Sequence, residues 1–139
     1  MNKTLKNIKE KLDNNAHPTV LWSRNGYHVI LPVYCPIELE LIQEFQEFDN
    51  PSERFLRFPK DYLSNNKTGK ANNPSFRSCL LRIPNSLNGK CLARGESFEN
   101  SKVKIIQEWN RDRPSIKFLL LEFRRYLITQ KIKELKRWR

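Results

Sequence analysis

Apolar residues fall at helical spacing in four stretches of the chain and at strand spacing in four others. Leu5, Ile8 and Leu12 recur every three or four residues through Lys3–Asn14, with lysines on the other side, which predicts a first helix. His17-Pro18 closes it, because the residue before a proline is driven out of helical backbone. Thr19-Val20-Leu21-Trp22 and Tyr27–Val33 are rich in β-branched and aromatic residues and predict two strands. Asn25-Gly26 between them predicts the tight turn of a hairpin. Pro36 opens an acidic helical segment, Ile37 to Phe48, with Leu41, Phe45 and Phe48 on one face. Asn50-Pro51-Ser52-Glu53 begins the next helix, since proline suits a first turn. Phe55, Leu56, Phe58, Tyr62 and Leu63 are its apolar positions, and Pro59 is expected to disturb it or start a new turn. Ser64 to Ser78 has hardly an apolar residue and reads as loop.

Cys79–Ile83 predicts a third strand, ended by Pro84, and Val103–Trp109 a fourth after a further polar loop. Pro114-Ser115 then introduces a long helix over 115–138. Ile116, Leu119, Leu120, Phe123 and Leu127 form its inward stripe, with Ile132 and Leu135 expected to continue it. Lys117, Arg124 and Lys131, spaced by seven, occupy a different stripe. Arg125, Lys133, Lys136, Arg137 and Arg139 enlarge the positive surface. The whole predicts one α+β domain over 1–139, with a mostly antiparallel sheet flanked by helices.

Composition narrows the class. At 38% hydrophobic and 11% aromatic the chain is too apolar for a disordered one. No apolar run approaches a membrane span, and the lysine-rich start lacks the apolar core of a signal peptide. These point to a cytoplasmic protein without a membrane partner. Net charge is +11, unevenly placed: residues 1–50 carry −2 and residues 51–139 carry +13. Such an excess favours a polyanion held through phosphate contacts and counterion release; the competing reading is a solvated, highly charged surface. Cys35, Cys79 and Cys91 show no C-x-x-C spacing. Buried, inert thiols fit better than a zinc site recruiting His17 or His28 from far along the chain.

Two short segments carry the candidate chemistry. In Ser23-Arg24-Asn25-Gly26-Tyr27-His28-Val29 a strand leads through a turn to a histidine, with Ser23 five residues before it. A hydroxyl and an imidazole brought together across a hairpin offer donors to phosphate oxygens; a hydrogen-bonded structural histidine is the plainer alternative. In Arg82-Ile83-Pro84-Asn85-Ser86-Leu87-Asn88-Gly89-Lys90, Arg82 supplies a fork and Lys90 a point charge for phosphate, with Asn88 on the same exit loop. An ordinary strand-to-loop transition with surface cations reads equally well.

Taken in order, Ser-x-x-Gly-Tyr-His-Val followed by Leu-Leu-Arg-Ile-Pro-x-Ser-x-Asn-x-Lys resembles the archaeo-eukaryotic primase superfamily. The resemblance is narrower to the primase-polymerase branch of archaeal plasmids and mobile elements, and runs from about Pro18 into the last helix. It implies that Ser23 and His28 lie around a nucleotide's phosphates, and that Arg82, Asn88 and Lys90 lie near nucleotide or template. Separately, by its charge pattern, the basic C-terminal helix is expected to track a DNA or RNA backbone with Lys117, Arg124, Arg125 and Lys131. The family's first motif, an Asp-x-Asp or Asp-x-Glu strand holding two divalent metals, would precede Met1, so the domain is expected to be N-terminally truncated. Residues 65–81 contain no Asp or Glu, which leaves Asp61 as the nearest candidate for the family's third acidic position. Arg24 and Asn85 stand where the family commonly has glycine, and Gly89 where it has serine or a similar residue.

Three functions follow as expectations. The chain is a primase-polymerase-like module that binds single-stranded or primed DNA, with a nucleoside triphosphate as a second candidate ligand, and has no catalysis or cofactor of its own. Alternatively it is one part of a split DNA primase-polymerase. That enzyme would use Mg²⁺ or Mn²⁺ once a separately encoded segment brings the acidic motif. The third reading is a decayed relic whose sheet exposes an unpaired edge.

Overall fold

The computed structural model describes residues 1–35, 39–65 and 81–137. The chain is α+β. Strands β1 (Thr19–Trp22), β2 (Tyr27–Ile30) and β3 (Lys104–Gln107) form an antiparallel sheet in the order β2-β1-β3. As the middle strand, β1 is the only one of the three with buried residues, Val20 and Leu21, which point to opposite faces. Its register with β2 sets Leu21 opposite His28 and Trp22 opposite Tyr27.

Helix α1 (Asn2–Lys11) stops three residues short of the expected end. The cause is local: Asp13 turns its carboxylate onto the Asn15 amide at 2.8 Å, a side-chain turn that competes with continued helix. Asn7 and Lys11 then cap another helix, donating to the carbonyls of Leu63 at 2.6 Å and Tyr62 at 3.0 Å. Those carbonyls end α3 (Pro51–Ser64), which begins at the predicted proline. Pro59 does not break α3. Its missing hydrogen bond is outweighed by packing, with Phe55 and Phe58 both against Phe123 at ring distances of 5.1 and 5.3 Å.

The acidic helix is observed as α2 (Leu39–Gln46); its opening at Pro36 lies outside the described residues, as do most of the 64–78 loop and Cys79-Leu80. Leu81, Arg82 and Ile83, the described end of the predicted third strand, are in no regular element. Two four-residue helices replace part of the expected polar loop: α4 (Gly89–Leu92) and α5 (Phe98–Ser101). Each is started by a side chain, Asn88 accepting from the Lys90 amide and Ser97 from that of Asn100.

The last helix, α6 (Lys117–Arg137), carries the core. Leu119, Phe123 and Leu127 are buried with Ile116 and Phe58, and Phe45, Phe48, Phe55 and Tyr62 pack around them. Ile132 and Leu135 do not continue this stripe: they are 47% and 62% exposed. Ile132 follows Phe123 by nine residues, which at about 100° per residue places it on the opposite side of the helix.

Candidate phosphate-binding site

The hairpin turn is one residue out of the expected frame. Ser23 donates both its amide and its hydroxyl to the Gly26 carbonyl, each at 3.0 Å, so Arg24 and Asn25 are the turn's centre. Arg24 takes the left-handed conformation with φ of 67°, while Gly26 stays in the ordinary region. The segment around Pro84 turns similarly. The Ser86 amide and hydroxyl both bond the Ile83 carbonyl, and Asn85, third of the four turn residues, has φ of 64°. Proline second and a left-handed residue third are the marks of a type II turn.

Residues 85–88 then run alongside 101–103, tied by Asn85 to Val103, Val103 to Ser86 and Asn88 to Ser101 through backbone bonds of 2.8–2.9 Å. This ladder delivers Asn88 beneath the hairpin. Its side chain is buried and bonded at both polar atoms: Nδ2 donates to the Ser23 carbonyl at 2.6 Å, and Oδ1 accepts from the Lys90 amide. Two segments 65 positions apart are thereby joined at one buried side chain.

His28 Nε2 lies 3.2 Å from Ser23 Oγ. A hydroxyl has one proton, and Ser23 gives its proton to Gly26, so Oγ accepts here and His28 carries a proton on Nε2. Nδ1 is the ring's second polar atom, an acceptor when the ring is neutral and a donor when it is charged. Ser23 itself is only 3% exposed and its proton is committed, and its Oγ fixes the orientation of the His28 ring.

Cations surround this network. Arg24 reaches Asn100 at 3.1 Å, with its Nε buried and without a partner among the described residues, and Arg94 reaches Asn25 at 3.5 Å. Glu99 pairs with both Lys102 and Lys104, and the Lys102 hydrogen bond with its charge holds the Glu99 carboxyl below its ordinary range. Lys90 is exposed and Arg82 half-buried, and among the described residues no ion pair or side-chain hydrogen bond engages either cation. Trp22 and the exposed Tyr27 pack with their rings tilted, 4.6 Å between centroids, at the end of the hairpin. Trp109 is occupied elsewhere, donating to the Asp112 carbonyl beneath Arg113.

The structure thus brings Ser23, His28 and Asn88 into one network and puts Lys90 on its rim. Arg82 leads into the same segment without touching the network through any hydrogen bond described. The α6 candidates belong to another element. Arg124 pairs with Glu44 at 2.6 Å, Arg125 with Glu122, and Lys131 lies over the Phe48 ring at 5.6 Å. Asp61 sits on α3 with Lys60 3.9 Å away, and among the described residues no three His, Cys, Asp or Glu side chains form a metal-ligand group. Cys91 is fully buried, which pushes its thiol up, and Cys35 is exposed. Arg94 is a functional candidate that lies outside both motifs. Its signal lies in the caps Asn88 and Ser97, which fold the 88–101 segment back onto the hairpin.

No described helix is long and apolar enough to cross a membrane. Comparison with models of known protein families, with curated proteins and with solved structures finds no match.

Proposed function

We propose that this chain binds the phosphates of a nucleotide or of single-stranded nucleic acid where the β1–β2 hairpin meets the 82–90 segment. The reading is that of a primase-polymerase-like binding module. The observation that carries it is the buried Asn88–Ser23 hydrogen bond, which unites the two motifs on which the family resemblance rests. Backbone conformation supports the same reading. Arg24 and Asn85, the two places where the family commonly has glycine, both hold the left-handed φ that glycine adopts most easily.

In this assignment Ser23 and Asn88 are positioning residues. His28 through Nδ1, with Arg82, Lys90 and Arg94, meets phosphate oxygens, and Tyr27 offers a face on which a base stacks. Lys117, Arg124, Arg125 and Lys131 add at most an auxiliary backbone contact, because Arg124 and Arg125 already hold carboxylates. Metal-dependent nucleotide transfer is not assigned to these residues.

The test is calorimetric titration with a nucleoside triphosphate. His28→Gln and Lys90→Ala should each weaken binding by about fivefold. No binding, or an affinity unchanged in both variants, contradicts the assignment.

A further inference from the structure

Helix α6 has two apolar stripes on opposite sides, and the described residues cover only one. Opposite the buried Leu119, Phe123 and Leu127 run Phe118, Leu121, Arg125, Ile128, Ile132 and Leu135, separated by three, four, three, four and three residues. That is an uninterrupted heptad pattern with one polar member, and its apolar side chains are 37–62% exposed. A strict seven-residue repeat is what a partner helix selects, because it keeps one narrow seam facing a neighbour along the whole length. A single polar residue within such a seam fixes register. Arg125 fits that part, with its side chain 74% exposed and Glu122 beside it.

Charge decides the occupant. Between Lys117 and Arg137 the helix has seven Lys/Arg and two Glu. The row Lys117, Arg124 and Lys131 borders the seam on one side, in the positions that choose a partner by charge; Arg124 already holds Glu44, and Lys136 adds a cation on the other flank. A second copy of this chain is disfavoured. Parallel pairing sets Arg125 against itself, and antiparallel pairing sets the cationic row against the same row. We propose that the outer stripe of α6 is a docking seam for an amphipathic helix of another protein, apolar at the seam and bordered by carboxylates. This inference does not depend on phosphate binding at the hairpin. A partner's carboxylates would meet Lys131 on one flank and Lys136 on the other, both exposed, so it would exclude nucleic acid from that face alone.

The test uses the full chain and a synthetic helical probe of four heptads, with Leu and Ile at the seam and Glu on both flanks. Two controls accompany it: the same peptide with Lys flanks, and a scrambled acidic peptide of identical composition. The acidic probe should bind one to one, at least tenfold more tightly than either control. The neutral double substitution I128S/I132S should reduce that affinity at least tenfold while leaving helix content and nucleotide binding unchanged. Equal binding of the scrambled peptide overturns the proposal, since charge alone would then explain it. So does a wild-type dimer that I128S/I132S dissociates, which would make a second copy the occupant. Capture by anionic phospholipid vesicles without capture of the acidic probe would assign the seam to lipid instead.

Discussion

From a buried position Asn88 donates its amide to Ser101 and its Nδ2 to Ser23, and accepts at its carbonyl from Cys91 and Leu92 and at Oδ1 from Lys90. Asn88→Asp keeps the acceptor that starts α4, but strips the Ser23 carbonyl of its donor and buries a charge beside it. It should cost about 2–4 kcal/mol in urea unfolding, more than the roughly 1–3 kcal/mol of Asn88→Ala. An aspartate variant as stable as wild type would show that this contact does not hold the two segments together. The residue's importance is only half legible in the sequence. Its cap on α4 follows from an asparagine two places before an amide that needs a partner. Its bond to Ser23 depends on a ladder between 85–88 and 101–103, which no local pattern announces.

At the scale of elements, short-range chemistry is what the sequence makes legible. Pro51 starts α3 and the β-branched runs pair as a hairpin, as their patterns require. Patterns with two solutions are less readable. The apolar residues of α6 serve two opposed faces, so Ile132 and Leu135 belong to the outer one and not the core. In the hairpin, Asn25-Gly26 is the stronger local turn signal, yet the two Ser23 bonds to Gly26 draw the turn back to Arg24-Asn25. The consequence is measurable. Gly26 has ordinary φ and open space where an alanine methyl would sit, so Gly26→Ala should stay within about 0.5 kcal/mol of wild type or gain slightly. Arg24→Gly relieves a left-handed side-chain residue worth about 1 kcal/mol, against loss of an exposed bond to Asn100 of about 0.5 kcal/mol. It should be at least as stable as wild type in thermal unfolding. A large cost for Gly26→Ala, with Arg24→Gly destabilised, would restore the turn to Asn25-Gly26.

Across the whole molecule, charge and packing are separated. The aromatic core lies between α3 and α6, with α2 residues against it, whereas the Ser23–His28–Asn88 network is built on the hairpin and the 82–101 segment. On α6, Glu44 answers Arg124 and Glu122 answers Arg125, while no described ion pair engages Lys131, Lys133, Lys136 or Arg137. Around the hairpin, Glu99 answers Lys102 and Lys104 and leaves Arg82 and Lys90 without a carboxylate among the described residues. The most direct measurement is the affinity of the full chain for a single-stranded oligonucleotide as a function of salt, in wild type and in the double variant Arg82→Ala/Lys90→Ala. Loss of two phosphate contacts should weaken binding at low salt and reduce the slope of log affinity against log salt by about 1.4. An unchanged affinity and slope, with both falling instead in Lys117→Ala/Lys131→Ala, would contradict the hairpin site.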